Sequence, residues 1–242
     1  LPAGSFCGGV DIVDERASEA RRPLVIAFDV IETLFPLEPL RRRIVDAGQS
    51  GQVLELWFTR LLRDAFALAA SGGYRPFPEV AASALASATG GALAGSSAQE
   101  VVAGFAELDP HPDVEAALRR AHGSGVRVVT LTNGLARTTD ALLRRAGLDQ
   151  YVERTLSVDD IRRWKPAPDV YHYAARTCGV PPDRVALVAA HSWDTHGAHR
   201  AGLVTGWVSR LERRFPDIFD PPDVSGDDLV AVVDGLLALP SD

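Results

Sequence analysis

Short runs of consecutive apolar, often β-branched residues alternate along this chain with longer stretches whose apolar residues recur every three or four positions. The runs at 24–28, 126–131, 152–157, 185–190 and 204–208 have the composition of parallel strands buried on both faces. The stretches at 112–122, 135–146 and 168–178 have helical spacing, and Gly147 is placed to end the second. Strand followed by helix, repeated, predicts right-handed crossovers. The expected fold class is therefore α/β, a parallel sheet of five or more strands with helices on both faces.

One gap interrupts the rhythm. Between about residues 38 and 108 there is no convincing strand, and Ala- and Leu-rich helical patterns at 53–70 and 79–88 fill the space. The pattern predicts a helical insertion that leaves the sheet near Pro36 and returns through Asp109, Pro110, His111 and Pro112, where prolines stiffen a two-way hinge. The organisation expected is a leader at 1–22, a core domain at 23–36 and 111–242, and a helical cap domain at 37–110. No internal repeat or low-complexity tract is evident.

Composition narrows the class without changing that picture. With 46% hydrophobic and 24% charged residues, the 242-residue chain matches an ordinary globular protein. A formal net charge of -7 argues against a nucleic-acid binder, which needs a basic face. Arg41, Arg42 and Arg43 read as a solvated helix face. Cys7 and Cys178 are far apart and outside any CxxC pair, so neither a disulfide framework nor a cysteine-based zinc site is expected. Residues 1–22 lack the continuous apolar core of a signal peptide, and no stretch approaches the roughly 20 apolar residues that span a bilayer. The expectation is a cytoplasmic protein without membrane partners.

Ligands of a parallel α/β sheet bind beyond the carboxyl ends of its strands. Those positions hold a consistent set: Asp29, Ile31 and Thr33 after the first run, Thr132 and Asn133 after the second, Lys165 after the third, and His191 and Asp194 after the fourth, with Tyr171 six residues beyond the lysine. Alone, Asp29 or Asp194 is as readily a helix cap, Thr132-Asn133-Gly134 a turn, Lys165 a surface residue and Tyr171 a packed one. Together, a carboxylate, a hydroxyl and amide pair, a lysine and a second carboxylate on one rim suit nucleophilic catalysis by an aspartate.

In order and spacing, these residues resemble the four motifs of the haloacid dehalogenase superfamily over about residues 24–210. Lys165-Pro166 followed by Tyr171, and Ser192-Trp193-Asp194, look like its type II 2-haloacid dehalogenase branch. The resemblance implies a Rossmann-like core with a helical cap, Asp29 as nucleophile, a small anionic 2-halo acid or related substrate, and often a homodimer. The scheme it suggests has Asp29 attack the halogen-bearing carbon, Lys165 hold Asp29 ionised, and Asp194 orient a water that then attacks the Asp29 ester. Thr33 would stabilise charge on the ester carbonyl, and Thr132 and Asn133 would hold the substrate carboxylate or the halide.

Phosphatases of the superfamily place a second Asp two residues after the nucleophile and a magnesium-binding Asp in the fourth motif. Ile31 and Ala190 occupy those positions here, so neither a metal nor another cofactor is expected. His191, His196 and His199 invite a zinc reading, against which stands the absence of a nearby Cys. Other departures concern the substrate pocket. His191 stands where the dehalogenases usually carry Asn, and Phe58 falls at their halide-holding cap arginine, for which Arg60 is a candidate substitute. Trp57, Phe58 and Phe66 are candidates for the apolar inner wall of the cap. A magnesium-dependent phosphatase and a non-catalytic homologue are the alternatives to a metal-independent dehalogenase.

Overall fold

The computed structural model describes residues 20–241. Most of the expected leader, and Cys7 with it, therefore lies outside the described residues.

Among the described residues, six strands form one parallel sheet. They are β1 (Val25–Phe28), β2 (Arg127–Thr132), β3 (Arg154–Ser157), β4 (Val185–Ala189), β5 (Val204–Val208) and β6 (Val224–Gly226), in the order β3-β2-β1-β4-β5-β6. The first five match the expected runs to within two residues at either end. β6 was not expected: three residues, one of them the exposed Ser225 and another a glycine, give no apolar run to read.

β1 is central, pairing β2 on one side and β4 on the other, with Phe28 level with both Thr130 and Val188. Successive strand residues face opposite sides, so each sheet face supports its own core. Ile26 and Phe28 join one apolar cluster, while Val25 and Ala27 join the other. All four are fully buried, which is why β1 reads as a continuous apolar run rather than an alternation.

Four helices lie between β1 and β2 before the return: α1 (Glu38–Asp46), α2 (Val53–Ala70), α3 (Phe77–Ala88) and α4 (Ser96–Ala103). The chain then forms α5 (Val114–Gly123), α6 (Ala136–Arg145), α7 (Pro168–Cys178), α8 (Ser192–Arg200) and α9 (Leu229–Leu237). The outgoing and returning segments are tied together where they cross. The His111 amide donates to Leu34 O over 2.9 Å, and His111 Nε2 lies 3.1 Å from Glu32 O. Glu32 itself has φ 67°, left-handed backbone for a non-glycine residue, and its carboxylate accepts from the Leu37 amide over 2.8 Å. The three arginines of α1 are held by acidic partners, Arg41 by Glu38 and Glu55, Arg42 by Asp46 and Arg43 by Glu107. No helix among the described residues is long and apolar enough to cross a membrane.

Candidate active site

Parallel pairing brings the carboxyl ends of β1, β2 and β4 to one rim, and the chain leaving each strand delivers one part of the site. Asp29 follows β1, held by its amide on Val188 O over 2.9 Å. A tight turn returns Thr33 to it. The Thr33 hydroxyl donates to Asp29 Oδ2 over 2.7 Å and accepts from the Ala190 amide over 2.9 Å, which locks the loops after β1 and β4 together.

Lys165 has no exposed side-chain surface. Its ammonium donates to Asp29 Oδ1 over 3.0 Å and to Asp194 Oδ2 over 2.7 Å. Asn133 supports it from β2, its side-chain oxygen accepting from the Lys165 amide over 3.1 Å. Asp194 is fully buried in the first turn of α8, so it is not the cap of a helix beginning at Thr195. Its second oxygen accepts from the Tyr171 hydroxyl over 2.7 Å. Buried charge is tolerable only when paired and hydrogen-bonded in this way.

These contacts set the proton affinities. Burial pushes the Asp29 carboxyl up, but Lys165, His191 and the Thr33 hydroxyl together hold it well below the usual carboxylate range. Asp194 goes the other way: burial and the negative charge of Asp29 raise it, against the pull of Lys165 and Tyr171. Burial alone would lower Lys165, yet its two carboxylates raise it, and it stays charged. The Tyr171 phenol is raised well above its ordinary value by burial and by Asp194.

Asp29 opens onto a pocket of about 20 Å³, room for about one water. Thr132, Asn133 and His191 supply its other polar walls, and Ile31, Phe58 and Phe77 are among the apolar ones. His191 Nδ1 is 3.6 Å from Asp29 Oδ2, beyond hydrogen-bond range, and has no hydrogen-bond partner among the described residues. Burial lowers its proton affinity, and the charges of Asp29, Asp194 and Glu32 more than reverse that, leaving the imidazole above its ordinary value. Its ring lies between aromatic neighbours, 6.0 Å from Phe58 and 5.3 Å from Trp193, and Phe66 packs edge-on against Trp193 at 5.0 Å.

Three expected pocket residues are elsewhere. Arg60 turns its guanidinium to the carbonyl and hydroxyl of Ser87, tying α2 to α3, and is absent from the pocket wall. Trp57 is buried among the helices, its indole N–H donating to Ala81 O over 2.8 Å and its ring packed on Phe105. Tyr171 is fully buried and meets the site only through Asp194. Conversely, Leu61, Leu62, Phe77 and Trp193 line the pocket without having been singled out for it. His196 accepts from the Asp220 amide and stacks on Phe219, and no group of three or more His, Cys, Asp or Glu among the described residues is placed to hold a metal ion.

A parallel sheet carries an aspartate just beyond its first strand, bridged by a buried lysine to a second aspartate, an arrangement suited to hydrolytic chemistry. The model of the haloacid dehalogenase-like hydrolases matches residues 24–202, and the chain belongs to that family. Haloacetate dehalogenase H-2 of Moraxella sp. (strain B) is 28% identical over 223 residues, 88% of this chain and 96% of its own. (S)-2-haloacid dehalogenase H-109 of Pseudomonas putida is 28% identical over 217 residues, 88% of this chain and 97% of its own. A solved L-2-haloacid dehalogenase superposes with a TM-score of 0.82 at 27% identity, covering 90% of this chain and 100% of its own.

Proposed function

We propose that this protein hydrolyses the carbon–halogen bond of 2-halo acids through an ester on Asp29, without a metal. The observation that carries the reading is Lys165, sealed from solvent and bonded to both Asp29 and Asp194. It keeps Asp29 ionised while one edge of that carboxylate faces the pocket. The relatives named above act, by their names, on haloacetate and (S)-2-haloacids.

In the first step an Asp29 oxygen attacks the halogen-bearing carbon, the C–O bond forms as the C–halogen bond breaks, and halide departs with the bonding pair. Thr132 and Asn133 line the side where the substrate carboxylate would lie, and protonated His191 faces the departing charge. In the second step water adds to the Asp29 carbonyl carbon. Both Asp194 oxygens are already occupied by Lys165 and Tyr171, and Asp194 is absent from the pocket wall. We therefore move the base role to His191. Esterification removes the Asp29 charge that raises His191, so the imidazole releases its proton, which leaves the site with the halide, and its Nδ1 can then accept one from water. Whichever Asp29 oxygen remains as the carbonyl keeps its own donor, Lys165 at Oδ1 or Thr33 at Oδ2, and that donor stabilises the charge that builds there. Collapse expels the alkoxide, which takes the proton held by His191 and leaves as the hydroxy acid, and the Asp29 carboxyl passes its remaining proton to His191, restoring both groups to their starting states.

A pocket of about 20 Å³ does not admit a halo acid as it stands, so the reading includes opening of the helical segment 37–110 about the paired crossing at Glu32 and His111. The homodimer and the cytoplasmic setting expected above belong to the same reading, and a monomer in light scattering would remove the former. For a magnesium-dependent phosphatase the side chains do not fit: Ala190 brings no carboxylate ligand, Ile31 no general acid, and the Lys165 ammonium already stands between Asp29 and Asp194.

The test is a single turnover of 2-chloropropionate in heavy-oxygen water. Label is expected in the Asp29 carboxylate first, with halide release lost in Asp29→Asn. Label found only in the product would exclude the ester, and phosphate release that follows magnesium would favour the phosphatase.

A further inference from the structure

The reacting pocket is not alone at this rim. Against it lies a cavity of about 520 Å³, within the size range of small-molecule sites, and the two share Ile31, Phe77, Thr132 and Gly134 as walls. Beyond that partition the cavity is mostly apolar, with Gln99, Thr138 and Thr139 its uncharged polar walls. Val102 and Phe105 face it from α4 and the residues following, and Leu135 and Leu142 face it from α6. Its charged wall residues, Glu79 and Arg137, are both exposed. An apolar hollow of this size does nothing for a two-carbon acid, which has no chain to reach into it.

Resting on the dehalogenase reading above, we propose that the substrate is a 2-halo acid with an extended apolar substituent, an alkyl chain of roughly six to ten carbons. Its reacting carbon lies at Asp29 and its chain passes Ile31 and Phe77 into the cavity. Ile31 thereby has a role on each side, as the apolar wall of the reacting pocket and as the sill over which the chain crosses. Removing such a chain from water is the gain, and each methylene buried tightens binding about fourfold.

Two variants fill the cavity from residues outside the reacting pocket, Ala103→Phe at the exposed end of α4 and Ala82→Phe on α3. Halide release is measured from 2-bromooctanoate and 2-bromopropionate, and binding of octanoate and propionate by calorimetry. In the unmodified protein kcat/KM is expected to favour the longer bromo acid about tenfold or more, with octanoate binding tighter than propionate by a similar factor. Either variant should erase both preferences while leaving 2-bromopropionate within about twofold. Octanoate binding no tighter than propionate would overturn the proposal, and so would a variant that slows both acids equally, the mark of an entry path. Halide release from neither acid, with the octanoate preference intact and lost in Ala103→Phe, would remove dehalogenation and leave the chain-binding cavity standing.

Discussion

The Lys165 ammonium and the Asp29 carboxylate meet over 3.0 Å with almost no surface left to solvent. A second carboxylate, Asp194, sits 2.7 Å from the same ammonium, so one cation holds two buried anions. Lys165→Met removes that cation and leaves both anions unpaired. The expected cost is about 3–5 kcal/mol of unfolding free energy, read from urea transitions, together with loss of halide release. Adding Asp194→Asn should recover part of the stability and none of the activity. Activity restored along with stability would show that Lys165 matters only as packing.

The pH dependence of stability follows from His191. Despite its burial the imidazole binds its proton more tightly in the folded state, because Asp29 is 3.6 Å away and ionised. A group raised on folding contributes stability that is complete below its unfolded value, 6.5, and that is lost as pH rises through the higher folded value. Wild-type stability is therefore expected to fall relative to His191→Asn as pH rises above 6.5. The charged groups that act on the ring are Asp29, Asp194 and Glu32, and comparing the two proteins at each pH isolates the imidazole from them. Parallel pH curves would show that His191 carries no linked proton.

Much of this arrangement was legible in the residues, for identifiable reasons. β5 spans Val204–Val208 and α7 spans Pro168–Cys178 as the patterns predict, because a buried strand and a Pro-started, Gly-ended helix carry their own boundaries. Asp29, Thr33, Lys165 and Asp194 stood out because strand-end positions are where this topology gathers chemistry. The helical segment was harder. Trp57 and Phe58 are neighbours about 100° apart on α2, and no periodic signal says which face meets the sheet. Yet Arg60 follows Trp57 by three residues and shares its face, turned toward α3, while Phe58, Leu61 and Leu62 form the stripe that meets Asp29. The spacing ties Arg60 to the face of Trp57, but only the contacts with Ala81 and Ser87 reveal that this face turns to α3.

Gly197 sets two effects of opposite sign against each other. It lies inside α8, where alanine is the better helix former by about 1 kcal/mol. A Cβ at this position would stand 2.6 Å from Pro166 Cβ and 2.7 Å from the Tyr171 hydroxyl oxygen, both too close, and neither neighbour can yield freely since Tyr171 is fully buried and bonded to Asp194. Overpacking of this kind costs about 1–3 kcal/mol, so Gly197→Ala is expected to lower the urea midpoint rather than raise it. Halide release should fall with it as Tyr171 is pushed off Asp194. A more stable, fully active variant would mean that α8 can shift without disturbing the site.

His191→Asn separates the two chemical steps. Attack by Asp29 needs the carboxylate, Lys165 and Thr33, all retained in the variant, and an asparagine amide can still donate to the departing halide in place of the imidazolium, so one equivalent of halide should still appear in a burst. Hydrolysis of the ester needs a base at the pocket wall, and an amide cannot take a proton from water. Loss of a general base costs about 10²–10⁴ in rate, so steady turnover should slow by that factor and the ester should build up on Asp29, visible as added mass on the peptide that contains it. A burst that disappears in proportion to turnover would place His191 in the first step. Unchanged turnover without accumulated ester would return the base role to Asp194, which requires the Tyr171 and Lys165 contacts to open during the cycle.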